Sequence, residues 1–331
     1  MNGEKSLMNK GKLNFFIERE VCPCCLSENS SKVIRLNWKD KSIMDLFLHR
    51  GYPINFINEG FYEVLECSLC TLLYQKYEPN TLLLDKIYNE WLPKRNADNV
   101  NFDNYNFNPY KPDKTIRNIS EINQIIEMVN GEISDFKVLD FGMGWGGWSR
   151  AAQLMGIESY GSEITKSQID YNEMNGIKVI PLNDISNYKF DFINSQQVFE
   201  HLSNPYQILT TLAKSLKPSG FIRISVPDSI NVKSNFNKNF KGNWFWAKGQ
   251  SKSLNPVEPL QHINGFNYKS LEIMGSKVGL KISKTSINGL NKGSVTTSSL
   301  GNVFFNMFRP IFQNYRSFYP STNVLFQKIT N

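Results

Sequence analysis

A chain of 331 residues with 40% hydrophobic and 13% aromatic side chains can bury a full core, and on a prior of about 100–200 residues per domain it should hold two units. No apolar stretch approaches the ~18 residues of a membrane span, and the opening MNGEKSLMNKGKLNFF lacks the apolar core of a secretory signal, so a soluble, cytoplasmic enzyme is expected. The net charge of +7 is uneven: Lys233, Lys238, Lys241, Lys248 and Lys252 crowd residues 231–256 without an acid, a face suited to an anionic partner or to solubility alone.

All five cysteines lie in the first 70 residues. Cys22 with Cys25 and Cys67 with Cys70 form two CxxC pairs. Each pair makes a tight knuckle whose two thiolates can face one ion, and two knuckles complete a tetrahedral shell. Four thiolates leave no position open for water, so the expected zinc is structural. Cys24 is a surplus thiol that could replace a neighbour, and a reduced metal-free set or a redox pair is the alternative. The β-rich pieces SKVIRL, FYEVLEC and TLLYQ surround the pairs, which makes residues 1–80 a small zinc-ribbon-like module. His49, inside LFLHR, is read as structural.

TLLLDKIYNEWL, Thr81–Leu92, predicts a helix closed by Pro93, and the Asn-rich stretch after it a linker, so residues 81–113 join the module to a second domain. From residue 114 helix and strand alternate: Ile116–Val129, FKVLDFG, WSRAAQLMG, SYGSEI, SKSQIDYNEMNG, KVIPL, KFDFINS, YQILTTLAKSLKP, FIRISVP, NYKSLEIMGSKVG, LKISKTSI and finally TNVLFQKIT. The alternation predicts an α/β, Rossmann-like doubly wound sheet over residues 114–331, with an insertion at about 229–260.

VLDFGMGWGGWSR runs from a strand through Gly142, Gly144 and Gly146 into a helix, which lets a ligand approach the helix N-terminus. A bare GxGxG is shared with dinucleotide enzymes. Glu163, ending the next strand, is placed to accept hydrogen bonds from both ribose hydroxyls; its structural alternative is an acid at a helix N-terminus. Asn183-Asp184-Ile185 follows the third strand, where a carboxylate can receive an adenine amino group.

The ordered set LDFGMGWG, GSEI, NDI, FDFINSQQVFEHLSNP, LKPSGFIRISVP and QHINGFNYKSLEIMGSKVGLK resembles the class I S-adenosylmethionine (SAM)-dependent methyltransferases, especially the branch with an EH-x-x-x-P motif after the fourth strand. The resemblance spans about residues 116–287 and implies a seven-stranded sheet whose last strand is antiparallel. It implies that Asp140, Gly142, Gly144 and Gly146 surround the methionine part of SAM. Glu163 would hold the ribose, Asp184 and Ile185 the adenine, and Gln196 would line the sulfonium end. The CPxC and CxxC pairs followed by LYQKYEP are similar to the ribbon fused to methyltransferases of surface-glycan and deoxysugar pathways. In the sugar C-methyltransferases of that group a Tyr and a His act near YxEHxxxF. PLQHINGF keeps His262 and Phe266 but has Pro259 and Gln261 in place of the Tyr and Glu, so O-methylation is expected over C-methylation.

Methyl transfer from a sulfonium is an in-line displacement, which leaves positioning and removal of the acceptor proton to the protein. Of the three histidines, His262 lies between the fifth strand and the following helix, at the edge where substrates sit. It is the expected base, with a loop-capping role as its alternative. His201, beside Glu200, is the second candidate or one half of a structural pair. Phe236, Phe240, Trp244, Phe245 and Trp246 among the insertion lysines suit an anionic sugar or glycan. They also suit a nucleic acid, or a lid over the core. Phe304, Phe308, Phe312, Tyr315 and Tyr319 are read as packing on the sheet or on the partner in a homodimer, with contact to a membrane surface a lesser reading. An RNA methyltransferase is the rival function. Against it, the catalytic domain has no cysteine for carbon-5 chemistry, and NSQQVF stands where exocyclic-amine enzymes have D/N-P-P-Y.

Overall fold

The computed structural model describes residues 8–9, 12–13, 15–53, 57, 60–91, 112–129, 135–237, 254–283 and 321–329. Phe240, Trp244, Phe245, Trp246, Lys238, Lys241, Lys248, Lys252 and the run from Phe304 to Tyr319 lie outside them. Among the described residues no helix is long and apolar enough to cross a membrane.

The N-terminal strands are short because each is cut by a cysteine knuckle or a turn. They are β1 (Phe16–Glu18), β2 (Ser30–Asn37), β3 (Phe61–Cys67), β4 (Leu73–Gln75) and β5 (Tyr77–Pro79). β2, β3 and β4 form an antiparallel sheet, and β1 pairs with β5. Helix α1 (Lys41–Arg50) starts where the Asp40 side chain accepts from the Ser42 amide and stops at Gly51, whose φ of 71° ends the helix. Its buried face, Ile43, Leu46 and Phe47, packs with Trp38, Tyr52 and Tyr62.

The helix expected over Thr81–Leu92 is present in two parts. α2 (Thr81–Asp85) is capped by the Asn80 side chain and runs into a π-helical turn at Lys86–Trp91. A wide turn of this kind re-aims side chains and recurs at functional sites. α3 (Pro112–Val129) begins on a proline, which the first turn tolerates because its missing N–H has no helical partner.

The main sheet contains β6 (Lys137–Phe141), β7 (Glu158–Ser162), β8 (Lys178–Val179), β9 (Phe190–Gln196) and β10 (Leu216–Pro227). β11 (Asn264–Gly265) leaves it, while β12 (Leu280–Ile282) and β13 (Ser321–Lys328) complete it. Its order is β8-β7-β6-β9-β10-β13-β12. Every pairing is parallel except those of β13, which runs antiparallel to β10 and β12 as expected. Helices α4 (Gly147–Leu154), α5 (Lys166–Met174), α6 (Pro205–Lys214), α7 (Val232–Asn237) and α8 (Tyr268–Lys277) connect the strands. The order reverses at β6, flanked by β7 and β9, which opens a crevice at the carboxyl ends of these strands.

β11 belongs to the N-terminal sheet, pairing Asn264 with Tyr74 and Gly265 with Leu73 to give the order β11-β4-β3-β2. The module is therefore continuous with the larger domain. The cysteines, Leu72 and Tyr74 share one buried cluster with Leu139, Phe199 and Phe266. Val232, Leu254, Val257 and Leu260, at the two ends of the insertion, pack on Ile34, Trp38 and Tyr62.

Candidate active site and thiolate centre

The glycine loop sits at the sheet reversal. Gly142 and Met143 donate their amides to the Ser162 carbonyl at 2.8 and 3.1 Å, which folds the loop over the end of β7. A Cβ on Gly144, whose φ is 55°, would meet nothing within 4 Å, so this backbone faces open space as a ligand cradle requires. Gly146 differs: at φ 71° its Cβ would lie 2.0 Å from Asn172 Oδ1 and 2.6 Å from Ile177 Cδ1. Asn172 is fully buried and ties the loop by donating to the Gly144 carbonyl at 2.8 Å. Gly146→Ala should therefore displace Asn172 and cost about 1–3 kcal/mol of stability, read as a lower Tm that SAH (the demethylated cofactor) rescues less than in wild type. An unchanged Tm would mean the loop has slack that this packing denies.

Glu163 follows β7. Its carboxylate accepts from the Gly144 amide at 3.0 Å and from the Ile164 and Thr165 amides at 2.8 and 3.0 Å. It thus does what an acid before a helix does and also reaches the glycine loop, with a further lone pair left on Oε2. Asp184 is exposed on the 3-10 helix Leu182–Asn187, whereas the Ile185 side chain is fully buried in the core. Gln196 ends β9 exposed, 3.3 Å from Asn194.

Beneath the loop a polar chain crosses the sheet. Asp140, 4% exposed, accepts from Asn194 Nδ2 at 2.7 Å and Ser149 Oγ at 3.3 Å. Asn194 Oδ1 accepts from Arg223 Nε at 3.0 Å, and Arg223 is paired with Glu121 at 2.5 Å. Burial pushes the Asp140 carboxyl up to about 6. Asp140 therefore holds β6, β9 and α4 together below the loop rather than offering a free carboxylate.

His201 and His262 meet on the carboxyl side of β9, ring centroids 4.9 Å apart. His201 Nδ1 lies 2.8 Å from the Gln261 carbonyl and His262 Nδ1 2.5 Å from the Asn255 carbonyl. A carbonyl only accepts, so each Nδ1 carries the proton and each Nε2 keeps a lone pair. Burial lowers His262 to about 4, and burial with the neighbouring His262 lowers His201 to about 3. Glu200, 1% exposed, has its Oε1 4.0 Å from His201 Nε2. Among the described residues neither of its oxygens has a hydrogen-bond partner, and burial raises the carboxyl to about 8.

Residues of the N-terminal segment tie down the loop that carries this cluster. Gln75 of β4 donates Nε2 to the Glu258 carbonyl at 2.9 Å and to the His262 carbonyl at 3.1 Å. Arg50, ending α1, forms a two-point ion pair with fully buried Glu258 at 2.7 and 2.5 Å. Tyr62 donates to the Val257 carbonyl, and Gln261 donates to the Tyr52 hydroxyl at 2.5 Å. Burial, with the neighbouring carboxyls of Glu200 and Glu163, raises the hydroxyl of Tyr88, on the π-helical turn, above the usual range. Nothing in the sequence marked Tyr88, Tyr52 or the Arg50–Glu258 pair, because their partners are remote in the chain.

The four cysteines of the two pairs converge, their sulfurs all within 4.8 Å of one another. Cys22–Cys70 and Cys25–Cys67 are each 3.5 Å apart. Four sulfurs at about 2.3 Å from one ion would be about 3.8 Å apart, so the cradle fits a tetrahedral cation. The residue after each second cysteine, Leu26 and Thr71, has φ of 64° and 60°, the turn that swings both thiols of a knuckle to one side. Cys24 is outside this group of four and donates to the Ser270 carbonyl at 3.2 Å.

Among solved structures, magnesium protoporphyrin IX methyltransferase from Synechocystis PCC 6803 with bound SAH is 14% identical, covering 75% of this chain and 99% of that one (TM-score 0.43). A SAM-dependent methyltransferase from Archaeoglobus fulgidus is 17% identical over 64% and 94% of the two chains (TM-score 0.40). A cyclopropane synthase from Mycobacterium tuberculosis is 15% identical over 62% and 84% (TM-score 0.41). No curated protein matches the chain. Residues 84–285 match the family described as a methyltransferase domain; as this is more than half of its length, the chain belongs to that family.

Proposed function

We propose that the chain methylates a hydroxyl of an anionic sugar, nucleotide-linked or part of a surface glycan, at the crevice where Glu200, His201 and His262 meet. The observation that carries this reading is the pair of imidazoles with both Nδ1 atoms tied to carbonyls, one ligand atom of each lying within 4.8 Å of the other and of the Glu200 carboxyl. SAM supplies a methyl group on a sulfonium, whose sulfur leaves as a neutral thioether. The chain's residues hold the cofactor, orient the acceptor and take its proton, for which His262 Nε2 is available. The lysines of residues 231–256 and the likeness of the ribbon to glycan-pathway enzymes support an anionic glycan. Asp140 with the three loop glycines, Asp184, Ile185 and Gln196 form the proposed cofactor site, Ile185 from the core side. The four paired cysteines hold a structural zinc, as donor type and spacing support.

Glu163 is the proposed ribose clamp, and its place after β7, against the glycine loop with a lone pair left on Oε2, supports that role. Loss of two hydrogen bonds to a charged acceptor costs about 2–4 kcal/mol, roughly 30- to 1000-fold in Kd. Calorimetry with SAH should show that weakening in Glu163→Ala. Equal affinity of variant and wild type would refute the clamp. The sugar itself is tested by offering the purified enzyme nucleotide sugars and RNA with labelled SAM: label in RNA alone would overturn the glycan reading.

A further inference from the structure

We propose that Glu200, His201 and His262 bind one divalent cation of the first transition row, separate from the thiolate centre. The proposal rests on the reading above only for the acceptor being bound at this cluster. One ligand atom from each of the three residues lies within 4.8 Å of the others. Ligands about 2.1 Å from a common ion sit about 3–4.2 Å apart, so side-chain rotations of about 1–2 Å close the shell.

Two independent features point to an ion. The first is the Glu200 carboxyl, 1% exposed, with no hydrogen-bond partner on either oxygen among the described residues. Buried polar groups are almost always paired, and an unpaired one asks for a water, an ion or a ligand. The second is the outer arrangement of the histidines. Each directs Nδ1 to a backbone carbonyl, Gln261 for His201 and Asn255 for His262. That is how metal-ligating histidines are held: the second nitrogen is pinned by an acceptor, which fixes the tautomer and turns Nε2 to the ion. The carbonyls that do this belong to the 255–262 loop, which Gln75 and Arg50 of the ribbon anchor.

Two imidazoles and one carboxylate select a borderline cation, whereas four thiolates select zinc. Three protein ligands also leave open positions, unlike the closed tetrathiolate shell. An acceptor hydroxyl can occupy one of them. In the loaded protein His262 is then a ligand; in the unloaded protein its Nε2 is free to accept a proton.

The test uses the full-length, zinc-loaded protein, washed with a chelator and titrated with Mn2+, a probe the thiolates do not favour. Loss of the free Mn2+ electron paramagnetic resonance signal should report one bound ion per chain. Glu200→Gln, His201→Ala and His262→Ala should each weaken it at least about tenfold while SAH binding and Tm confirm folding. No Mn2+ binding to the wild type, or equal binding by the folded variants, overturns the proposal. Full activity of the chelated enzyme on a sugar hydroxyl with no Mn2+ uptake also overturns it and leaves the acceptor reading standing. Mn2+ binding lost in the variants, with no sugar ever methylated, supports the cation site and sinks the acceptor reading instead.

Discussion

Cys67→Ser is expected to lose the proposed zinc and, with it, both the fold of the N-terminal sheet and most of the activity. Structural zinc in small thiolate sites contributes an apparent binding free energy of about 10–16 kcal/mol at neutral pH, as large as the whole stability of an ordinary domain, about 5–15 kcal/mol. The small N-terminal sheet cannot make up that loss, since β3 ends on Cys67 and β4 begins three residues after Cys70. The effect should also reach the crevice. β4 pairs with β11 and carries Gln75, which holds the Glu258 and His262 carbonyls. Metal analysis after a chelator wash should give near one equivalent of zinc for wild type and a clear loss for Cys67→Ser. Cys24→Ser should keep its zinc, because that thiol already faces the Ser270 carbonyl. A wild-type protein that is folded, active and free of zinc would sink the assignment.

The sequence was most legible where a local pattern carries the physics. Alternating strand and helix runs marked every element of the main sheet, because buried parallel strands read as apolar runs and the helices between them show a different period. The antiparallel last strand came from the family resemblance, and β13 runs antiparallel to both its neighbours, β10 and β12, as that implied. The knuckles were visible because two ligands of one ion lie within four residues. What stayed hidden was long-range. β11 is two residues long and has no period to read, yet it welds the ribbon to the catalytic domain. Arg50 and Glu258 are 208 residues apart. Leaving either buried charge alone would cost about 3–5 kcal/mol, but no spacing announces their pairing. The π-helical turn at Lys86–Trp91 looks like ordinary helix in sequence, so Tyr88 was not seen near the site. Glu200 beside His201 reads as a structural pair until its missing hydrogen bonds are seen in three dimensions.

His262→Ala is expected to bind SAH as wild type does and to turn over about 10²–10⁴-fold more slowly, the usual effect of removing a general base. The argument is one of position. His262 contacts none of Gly142, Gly144, Gly146 or Glu163 among the hydrogen bonds of the cofactor loop, so cofactor affinity should be indifferent to it. Its ring packs edge-on against His201 and its Nδ1 is spent on the Asn255 carbonyl, which leaves Nε2 as the atom facing the acceptor, whether as base or as ligand. His262→Gln can still donate to that carbonyl but has no imidazole, and should be as slow as the alanine variant. Recovery by His262→Gln would show that holding the 255–262 loop was the side chain's whole task. His201→Ala separates the two imidazoles. If it abolishes turnover while His262→Ala keeps full activity on the true acceptor, the roles are reversed and His201 is the residue that meets the hydroxyl.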